Sequence, residues 1–462
     1  MRPRDYSKLL ADLSEAWAQR APRSAALYER AQRCLADGGS HAIRLRQPFP
    51  PSPARASGGW MVDVDGNRFL DLWQGHYASI LGNNPPLVTS ALAEALEGGQ
   101  GLQTGFEDQV QTEVAEILCR RTGAERVRFT TSGTLATMYA IMLARAFTGR
   151  ELVVKVGGGW HGAQPWGLKG VSYHDGFQAV ESEGLPPAVT ETILVTRFND
   201  PQRLEDCFRQ HGDRIACLIV EPCLGAGGMI LASPAYLATA RELTRQYGAL
   251  LILDEVISGF RFRAGDLGAL YGIRPDLATF GKVIGGGMPL AAVAGREDVL
   301  ALVGRRGGSR VKFSGGTYSA HPATMLAAKT MLSYLVEHEH EVYPYLARLG
   351  QAARVAVAAA FTEEGIEAVC TGAGNEVVPG SSLVMVHFPR RSGLDVTRPD
   401  ALFDPAQYDV TLSHAVLDLA LLLEGVYILN GHGAFSTAHT EADVAYLAAA
   451  CRQVARRVKA AG

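Results

Sequence analysis

The stretch Leu250-Leu251-Ile252-Leu253-Asp254-Glu255-Val256, together with Gly281-Lys282 further along, decides the fold. Its apolar run is typical of a buried β-strand, and the run ends in a carboxylate. Lys282 lies 28 residues after Asp254 and shortly before three consecutive glycines. Open α/β sheets bind ligands at the carboxyl ends of such strands, and a lysine in apolar surroundings gives up its proton readily. The pair therefore predicts a ligand site with a nucleophilic lysine.

Two chemistries use such a pair. Nucleotide hydrolysis would treat the strand as a Walker B element, but it also needs the loop Gly-x-x-x-x-Gly-Lys-Ser/Thr. Lys282 is followed by Val283, position 276 is Asp rather than Gly, and no other Gly-Lys-Ser/Thr occurs. The alternative is pyridoxal phosphate (PLP), which forms a Schiff base with a lysine and pairs its pyridinium nitrogen with an acid. The residues favour PLP, with Lys282 as the Schiff-base lysine and Asp254 as the acid that pairs with the ring nitrogen.

The stretches Asp254–Arg261 and Phe280–Pro289 resemble the class III PLP-dependent aminotransferases, above all their glutamate-1-semialdehyde aminomutase-like branch. The similarity runs from about Gly38 to the C-terminal segment. It implies the α/β architecture of PLP fold type I, with a large, doubly wound, mostly parallel sheet domain and a small α/β domain. The expected divisions are an N-terminal arm and hairpin belonging to the small domain (1–80), the large PLP-binding domain (81–330) and the C-terminal small domain (331–462).

Composition narrows the class of protein. The chain has 462 residues, 47% of them hydrophobic, which is enough for more than one buried core. A net charge of −3 gives no reason to expect nucleic acid or a membrane surface as a partner. The seven cysteines contain no Cys-x-x-Cys pair, and no apolar run reaches the length of a membrane span. We expect a cytoplasmic protein without membrane or nucleic-acid partners.

A phosphate site is predicted where Ser132-Gly133-Thr134 follows the strand around Val127–Thr131 and precedes a helix. The N–H groups and the dipole at a helix N-terminus attract anions. Together with the lysine motif, this turn indicates binding of the PLP phosphate. Relatives usually carry Glu after the Thr, whereas this chain has Leu135, so any role of that carboxylate is absent here.

The resemblance assigns the faces of the cofactor ring. Trp160-His161-Gly162 follows a predicted strand and matches the family's aromatic-His-Gly pattern, usually with Tyr first. Trp160 would stack on the pyridine ring, Val256 would clamp its other face, and His161 would lie near the ring and Asp254.

Glu221 ends another predicted strand at the same edge of the sheet, and a buried acid there requires a partner. We include it among the cofactor-binding residues. Relatives supply an amide side chain shortly afterwards to hold the phenolic oxygen of PLP. The corresponding candidates here, Leu224 and Ala226, cannot form hydrogen bonds through their side chains.

Two further residues are carried over from the family. Arg44 aligns with a carboxylate-binding arginine of the aminomutase-like branch, and its planar fork suits a substrate carboxylate. Thr317 matches a threonine that binds the phosphate of the neighbouring subunit's cofactor, which implies a homodimer with active sites at the interface. The helical pattern of residues 5–36 is interpreted as an arm that packs on the partner subunit.

The predicted activity is amino-group transfer from an amino acid, or another carboxylate-bearing amine, to a keto acid. Lys282 would hold PLP as a Schiff base and, once released, act as the general base. A glutamate-1-semialdehyde type of aminomutase and an amino acid racemase or epimerase remain open on the same scaffold. They differ in whether a keto product leaves the site. The loop Asn430–Phe435 lacks an acidic residue that aminomutases carry, which weakens the mutase interpretation.

Overall fold

The computed structural model describes residues 4–174, 176–304 and 310–461. Its α-helices are α1 Ser7–Arg20, α2 Pro22–Gln32, α3 Gln74–Tyr77, α4 Pro86–Glu97, α5 Gln109–Thr122, α6 Gly133–Thr148, α7 Pro187–Thr190, α8 Pro201–His211, α9 Pro234–Tyr247, α10 Glu297–Leu300, α11 Pro322–Glu337, α12 Glu339–Thr362, α13 Pro399–Leu402, α14 Leu417–Leu423 and α15 Glu441–Ala461. Its strands are β1 Pro53–Ser57, β2 Trp60–Asp63, β3 Arg68–Asp71, β4 Arg126–Thr130, β5 Leu152–Val156, β6 Ile193–Thr196, β7 Ile215–Val220, β8 Cys223–Leu224, β9 Ile230–Leu231, β10 Leu250–Glu255, β11 Leu277–Phe280, β12 Ala291–Gly295, β13 Val369–Thr371, β14 Leu383–His387, β15 Val426–Tyr427 and β16 His432–Ala434.

A seven-stranded sheet in the order β4-β12-β11-β10-β7-β5-β6 forms the centre of the molecule. Strand β12 runs antiparallel to both of its neighbours, and the pairs formed by β11, β10, β7, β5 and β6 are all parallel. The prediction of a mostly parallel sheet is therefore confirmed. The strand predicted from Leu250 occupies the middle of the sheet, with neighbours on both sides.

Helices cover both faces of this sheet because its strands are apolar on both faces. Ile252 of β10 packs in one buried cluster with α6, whereas Leu251 and Leu253 pack in another with α8 and α9. Successive side chains of a strand point to opposite faces, so the continuous apolar run of β10 supplies both layers. This arrangement is the doubly wound architecture predicted from the sequence.

The N-terminal segment joins the C-terminal part of its own chain. Strand β15 pairs parallel with β3, which completes a four-stranded sheet β1-β2-β3-β15. Helix α1 packs against α14 and α15, and Trp17 is fully buried, with its indole N–H donating to the carbonyl oxygen of Phe49 at 3.0 Å. Helix α1 therefore packs within its own chain, whereas Leu27 and Leu35 further along the arm are exposed. The expectation that the arm packs on a partner subunit stays a prediction.

A separate three-stranded sheet of the order β13-β14-β16 lies in the C-terminal part. Within residues 4–174, 176–304 and 310–461, none of the helices combines the length and the apolar character that crossing a membrane requires. The domain divisions at residues 80 and 330 stay a prediction.

Candidate active site

A cavity of about 410 Å³ opens at the carboxyl ends of the central strands, as the sheet topology requires. Nine residues predicted from the sequence line it: Ser132, Gly133, Thr134, Trp160, His161, Glu221, Asp254, Val256 and Lys282. Arg44 and Thr317 lie outside its lining. The strands and turns around β10 thus bring together residues that are up to 150 positions apart, from Ser132 to Lys282.

Lys282 begins a short 3₁₀ turn, Lys282–Gly285, directly after β11. Its φ of 50° lies in the left-handed region, which costs a side-chain-bearing residue conformational energy and often marks functional positions. Burial lowers the pKa of its ammonium, while the charges of Asp254 and Glu221 oppose this shift. Its amine makes no hydrogen bond within the described residues, so the nitrogen is available as a nucleophile.

Three donors hold the Asp254 carboxylate. His161 Nδ1 lies 2.7 Å from Oδ2, and the hydroxyl of Thr279 donates to Oδ1 at 2.8 Å. The backbone N–H of Val256 donates to the same Oδ1 at 3.2 Å. Asp254 is only 3% exposed, and a buried carboxylate requires such partners. The contact between His161 and Asp254 was expected from the family resemblance; Thr279 was not singled out from the sequence.

Glu221 joins two loops of the cavity wall. Its Oε1 accepts from the backbone N–H of Trp160 at 2.9 Å, and its Oε2 accepts from the backbone N–H of Gly225 at 3.0 Å. Burial, reinforced by the charge of Asp254, raises the pKa of the Glu221 carboxyl. The partners that its burial requires are therefore backbone groups, and the residue orients the segment that carries Trp160.

The N-terminus of α6 faces the cavity with free donors. Ser132 is the N-cap, and its hydroxyl accepts from the backbone N–H of Leu135. The N–H groups of Gly133 and Thr134, in the first turn, have no acceptor within the helix. Gly162 has φ +81°, and a Cβ there would lie 2.6 Å from the Cα of Thr134. Glycine at position 162 therefore lets the loop with His161 lie directly against this turn.

Lys155 supports a loop of the cavity wall, and the sequence analysis did not single it out. It is fully buried in β5, and its Nζ donates to the carbonyl oxygens of Gly159, Gly167 and Lys169 at 3.0, 3.2 and 2.7 Å. These bonds fix the loop that carries Trp160 and His161. The available signal was a single lysine inside the otherwise apolar strand Leu152–Val156, because a buried charge must bind several acceptors.

Arg44 lies in a second pocket of about 520 Å³, which His41, Trp73 and His76 also line. Its Nε donates to Nε2 of His76 at 2.9 Å. The turn α3, which carries His76, contacts the turn that begins at Lys282. The second pocket is therefore a neighbour of the lysine cavity. Thr317 is exposed, and its carbonyl oxygen accepts from the hydroxyl of Thr104 at 3.3 Å.

The residues present fit PLP. The free N–H groups of α6 suit a phosphate, Asp254 suits a protonated ring nitrogen, and Lys282 suits an aldehyde. A Cβ at Gly133 would lie 2.9 Å from Cγ1 of Val256, so glycine lets Val256 lie directly against this turn. The buried Nε2 of His161 also has no partner among the described residues. The cavity thus contains an unused polar atom at its wall.

Comparison with known proteins agrees with this geometry. The family model described as aminotransferase class-III matches residues 44–359. Glutamate-1-semialdehyde 2,1-aminomutase from Halorubrum lacusprofundi is 36% identical over 386 residues, covering 82% of this chain and 82% of that protein.

Solved structures resemble the chain over nearly its full length. The β-phenylalanine aminotransferase from Variovorax paradoxus has a TM-score of 0.84 and 32% identity, covering 97% of both chains. A transaminase with PLP bound has a TM-score of 0.83 and 30% identity, covering 95% of this chain and 98% of that one. The predicted cofactor is thus the one bound in this relative. From the matched residues, the chain belongs to the class-III aminotransferases.

Proposed function

We propose that the chain is a PLP-dependent aminotransferase that moves an amino group from an amino acid, or another carboxylate-bearing amine, to a keto acid. One observation carries the proposal: the amine of Lys282, which makes no hydrogen bond among the described residues, shares a cavity with an Asp254 carboxylate held by three donors. A lysine nucleophile and an anchored carboxylate are the two groups that PLP chemistry needs from a protein.

PLP, when bound, supplies an aldehyde for the amine and a ring that accepts electrons from the substrate carbon. Lys282, whose pKa burial lowers, would hold the cofactor through its neutral amine and would take a proton from the substrate Cα. Asp254 would keep a proton on the ring nitrogen, and His161 and Thr279 hold its carboxylate in place. Gly133 and Thr134 would bind the phosphate through their backbone N–H groups.

The second pocket supports a substrate with a carboxylate. Arg44 forms no salt bridge with an acid within residues 4–174, 176–304 and 310–461. A guanidinium without an acidic partner, beside the lysine cavity, suits a planar carboxylate from the substrate. We therefore assign Arg44 to substrate binding in this proposal.

The proposal includes a cytoplasmic homodimer with shared active sites. Leu102 and Phe106 are each 73% exposed and Tyr318 is 62% exposed. The hydrogen bond between Thr104 and Thr317 joins the two segments that carry these side chains. An apolar surface of this kind indicates a protein interface. A neighbouring copy seated there would receive Thr317 next to its own phosphate site.

A second candidate function is an aminomutase, because the relative from Halorubrum lacusprofundi carries that name at 36% identity. A mutase retains its keto intermediate, whereas a transaminase releases it. The test is to load the protein with PLP and add a panel of L-, D- and β-amino acids without an acceptor. Release of about one free keto acid per subunit supports transamination. An isomerised amino compound without free keto acid would replace the proposal with a mutase, and an inverted amino acid would replace it with a racemase.

A further inference from the structure

The side chain of His76 forms a hydrogen bond with the Arg44 guanidinium. Nε2 of His76 accepts from Nε of Arg44 at 2.9 Å, which requires an imidazole that is unprotonated at Nε2. Burial is the first cause that lowers the pKa of His76 to about 3, and the charges of Arg44, His41 and Lys282 add to it. The imidazole is therefore a neutral acceptor at physiological pH.

The ring of His76 is held in place on two sides. The Trp73 ring lies 4.4 Å from it and the His41 ring lies 4.9 Å from it, measured between centroids. The backbone of this turn is also unusual, since Gly75 and His76 have φ values of 58° and 60° in the left-handed region. Asn, Asp and His tolerate this conformation better than other side-chain-bearing residues. The turn therefore directs one imidazole nitrogen at one arginine nitrogen.

The hydrogen bond at Nε leaves the outer fork of the arginine available. Within the part of the chain that the structure describes, the two terminal nitrogens of Arg44 donate to no other residue. Asp71 also lines this pocket, but its Oδ1 accepts from the N–H groups of Trp73 and Gln74, and its Oδ2 accepts from Asn83. The acid that lines this pocket is thus already hydrogen-bonded.

We propose that His76 is a positioning residue that aims the free fork of Arg44 at the carboxylate of the amine substrate. This inference rests on the proposed aminotransferase function and deepens it. A carboxylate binds a guanidinium best in the plane of its fork, and an arginine held at Nε has lost the rotations that would otherwise turn this plane away. The turn α3, which carries His76, contacts the turn that begins at Lys282, so His76 links the fork of Arg44 to the element that carries the reacting amine.

The test compares two amide replacements. His76→Gln places an amide oxygen near the position of Nε2, so it can still accept from Arg44. His76→Asn tolerates the left-handed backbone equally well, but its shorter side chain does not reach that position. For each variant, kcat and KM are measured with the best carboxylate-bearing donor of the panel and with the amine that lacks only its carboxylate. Binding of 3-phenylpropanoate, which has no amine, is measured by calorimetry on the PLP-loaded protein.

We expect His76→Asn to raise KM for the carboxylate-bearing donor about 3- to 10-fold, the value of one hydrogen bond, with kcat nearly unchanged. His76→Gln should restore KM, the donor without a carboxylate should respond to neither variant, and the Kd of 3-phenylpropanoate should follow the same order. Equal KM values for wild type and His76→Asn would overturn the inference. So would a Gln variant as impaired as Asn, or equal losses on both donors.

Failure of the underlying function gives a different result. If the wild-type protein releases no keto acid from any donor, the aminotransferase proposal fails. The calorimetric comparison of the two variants still reports on the fork, because 3-phenylpropanoate binds without reacting. A loss of its binding in His76→Asn alone would then keep the positioning role of His76 for a carboxylate ligand of a different reaction.

Discussion

Nδ1 of His161 lies 2.7 Å from Oδ2 of Asp254, and the two side chains are 1% and 3% exposed. Burial lowers the pKa of His161, although its hydrogen bond to Asp254 acts in the opposite direction. A neutral imidazole that donates Nδ1–H to the carboxylate follows from this arrangement. His161 thereby stabilises the negative charge of Asp254, which the proposed pairing with the ring nitrogen of PLP would require.

Replacing Asp254 by Asn should lower kcat/KM about 10²- to 10³-fold, because the site loses a preorganised charge. Thr279→Val is the matched control, since it removes one donor to the carboxylate while the His161 and Val256 donors remain. Its expected loss is about 10-fold or less. Keto acid release at saturating PLP measures both. If Asp254→Asn is as active as wild type, Asp254 has no role in the mechanism.

Lys282 should be the residue that forms the covalent bond with PLP. Borohydride reduction of the loaded protein, followed by peptide mass mapping, should place the cofactor mass on the peptide that contains Lys282. Lys282→Ala should show no such adduct and should lose at least about 10²- to 10⁴-fold in turnover, the value of a positioned general base. Lys155 is the internal control, because its Nζ already donates to three carbonyl oxygens. An adduct on Lys155 instead would contradict the assignment.

Three buried histidines in the C-terminal part should make the free energy of unfolding depend on pH in the acidic range. Burial lowers the pKa of His387, His414 and His432 to about 3, 4 and 3 respectively. In the unfolded chain their pKa is about 6.5, so between pH 6.5 and about 4 the unfolded state binds protons that the native state does not. The free energy of unfolding therefore falls as the pH decreases through this window.

His414→Leu isolates one of these groups, because Nε2 of His414 is buried and makes no hydrogen bond within the described residues. His387 and His432, the titratable groups that act on its neighbourhood, stay in place. The free energy of unfolding of the variant minus that of wild type should be up to about 2 kcal/mol larger at pH 5.0 than at pH 7.5. Urea unfolding at both pH values measures this, and parallel pH dependences of the two proteins would disprove it.

Trp17→Ala should destabilise the chain by about 3–5 kcal/mol, because it empties a site against Phe49 and Phe69 and removes the bond to the Phe49 carbonyl. Leu27→Ala on α2, which is 39% exposed, is the control and should cost less than about 1 kcal/mol. Urea unfolding measures both, and sedimentation measures the oligomeric state. If Trp17→Ala dissociates the protein without lowering the free energy of unfolding, the arm packs on a partner subunit instead.

Local pattern was sufficient for the central elements of the fold. The apolar run Leu250–Leu253 predicts a buried strand, and the structure places β10 at Leu250–Glu255. The helix N-terminus after Ser132-Gly133-Thr134 was also predicted, because helix capping depends on neighbouring residues alone. The partner of the N-terminal arm could not be predicted in the same way, since an amphipathic helix shows that one face is buried but not what buries it.

The sequence by itself determined which chemical groups this protein brings to a site: a lysine after a short strand, an acid at a strand end and a helix N-terminus at a small polar turn. The tertiary structure decided how they are held. Thr279 on Asp254, Lys155 under the loop of Trp160, and His76 on Arg44 join residues whose spacing along the chain carries no signal. The physical reason is that strand type and turn type are local properties, whereas the partner of a buried polar group is chosen by packing between distant elements.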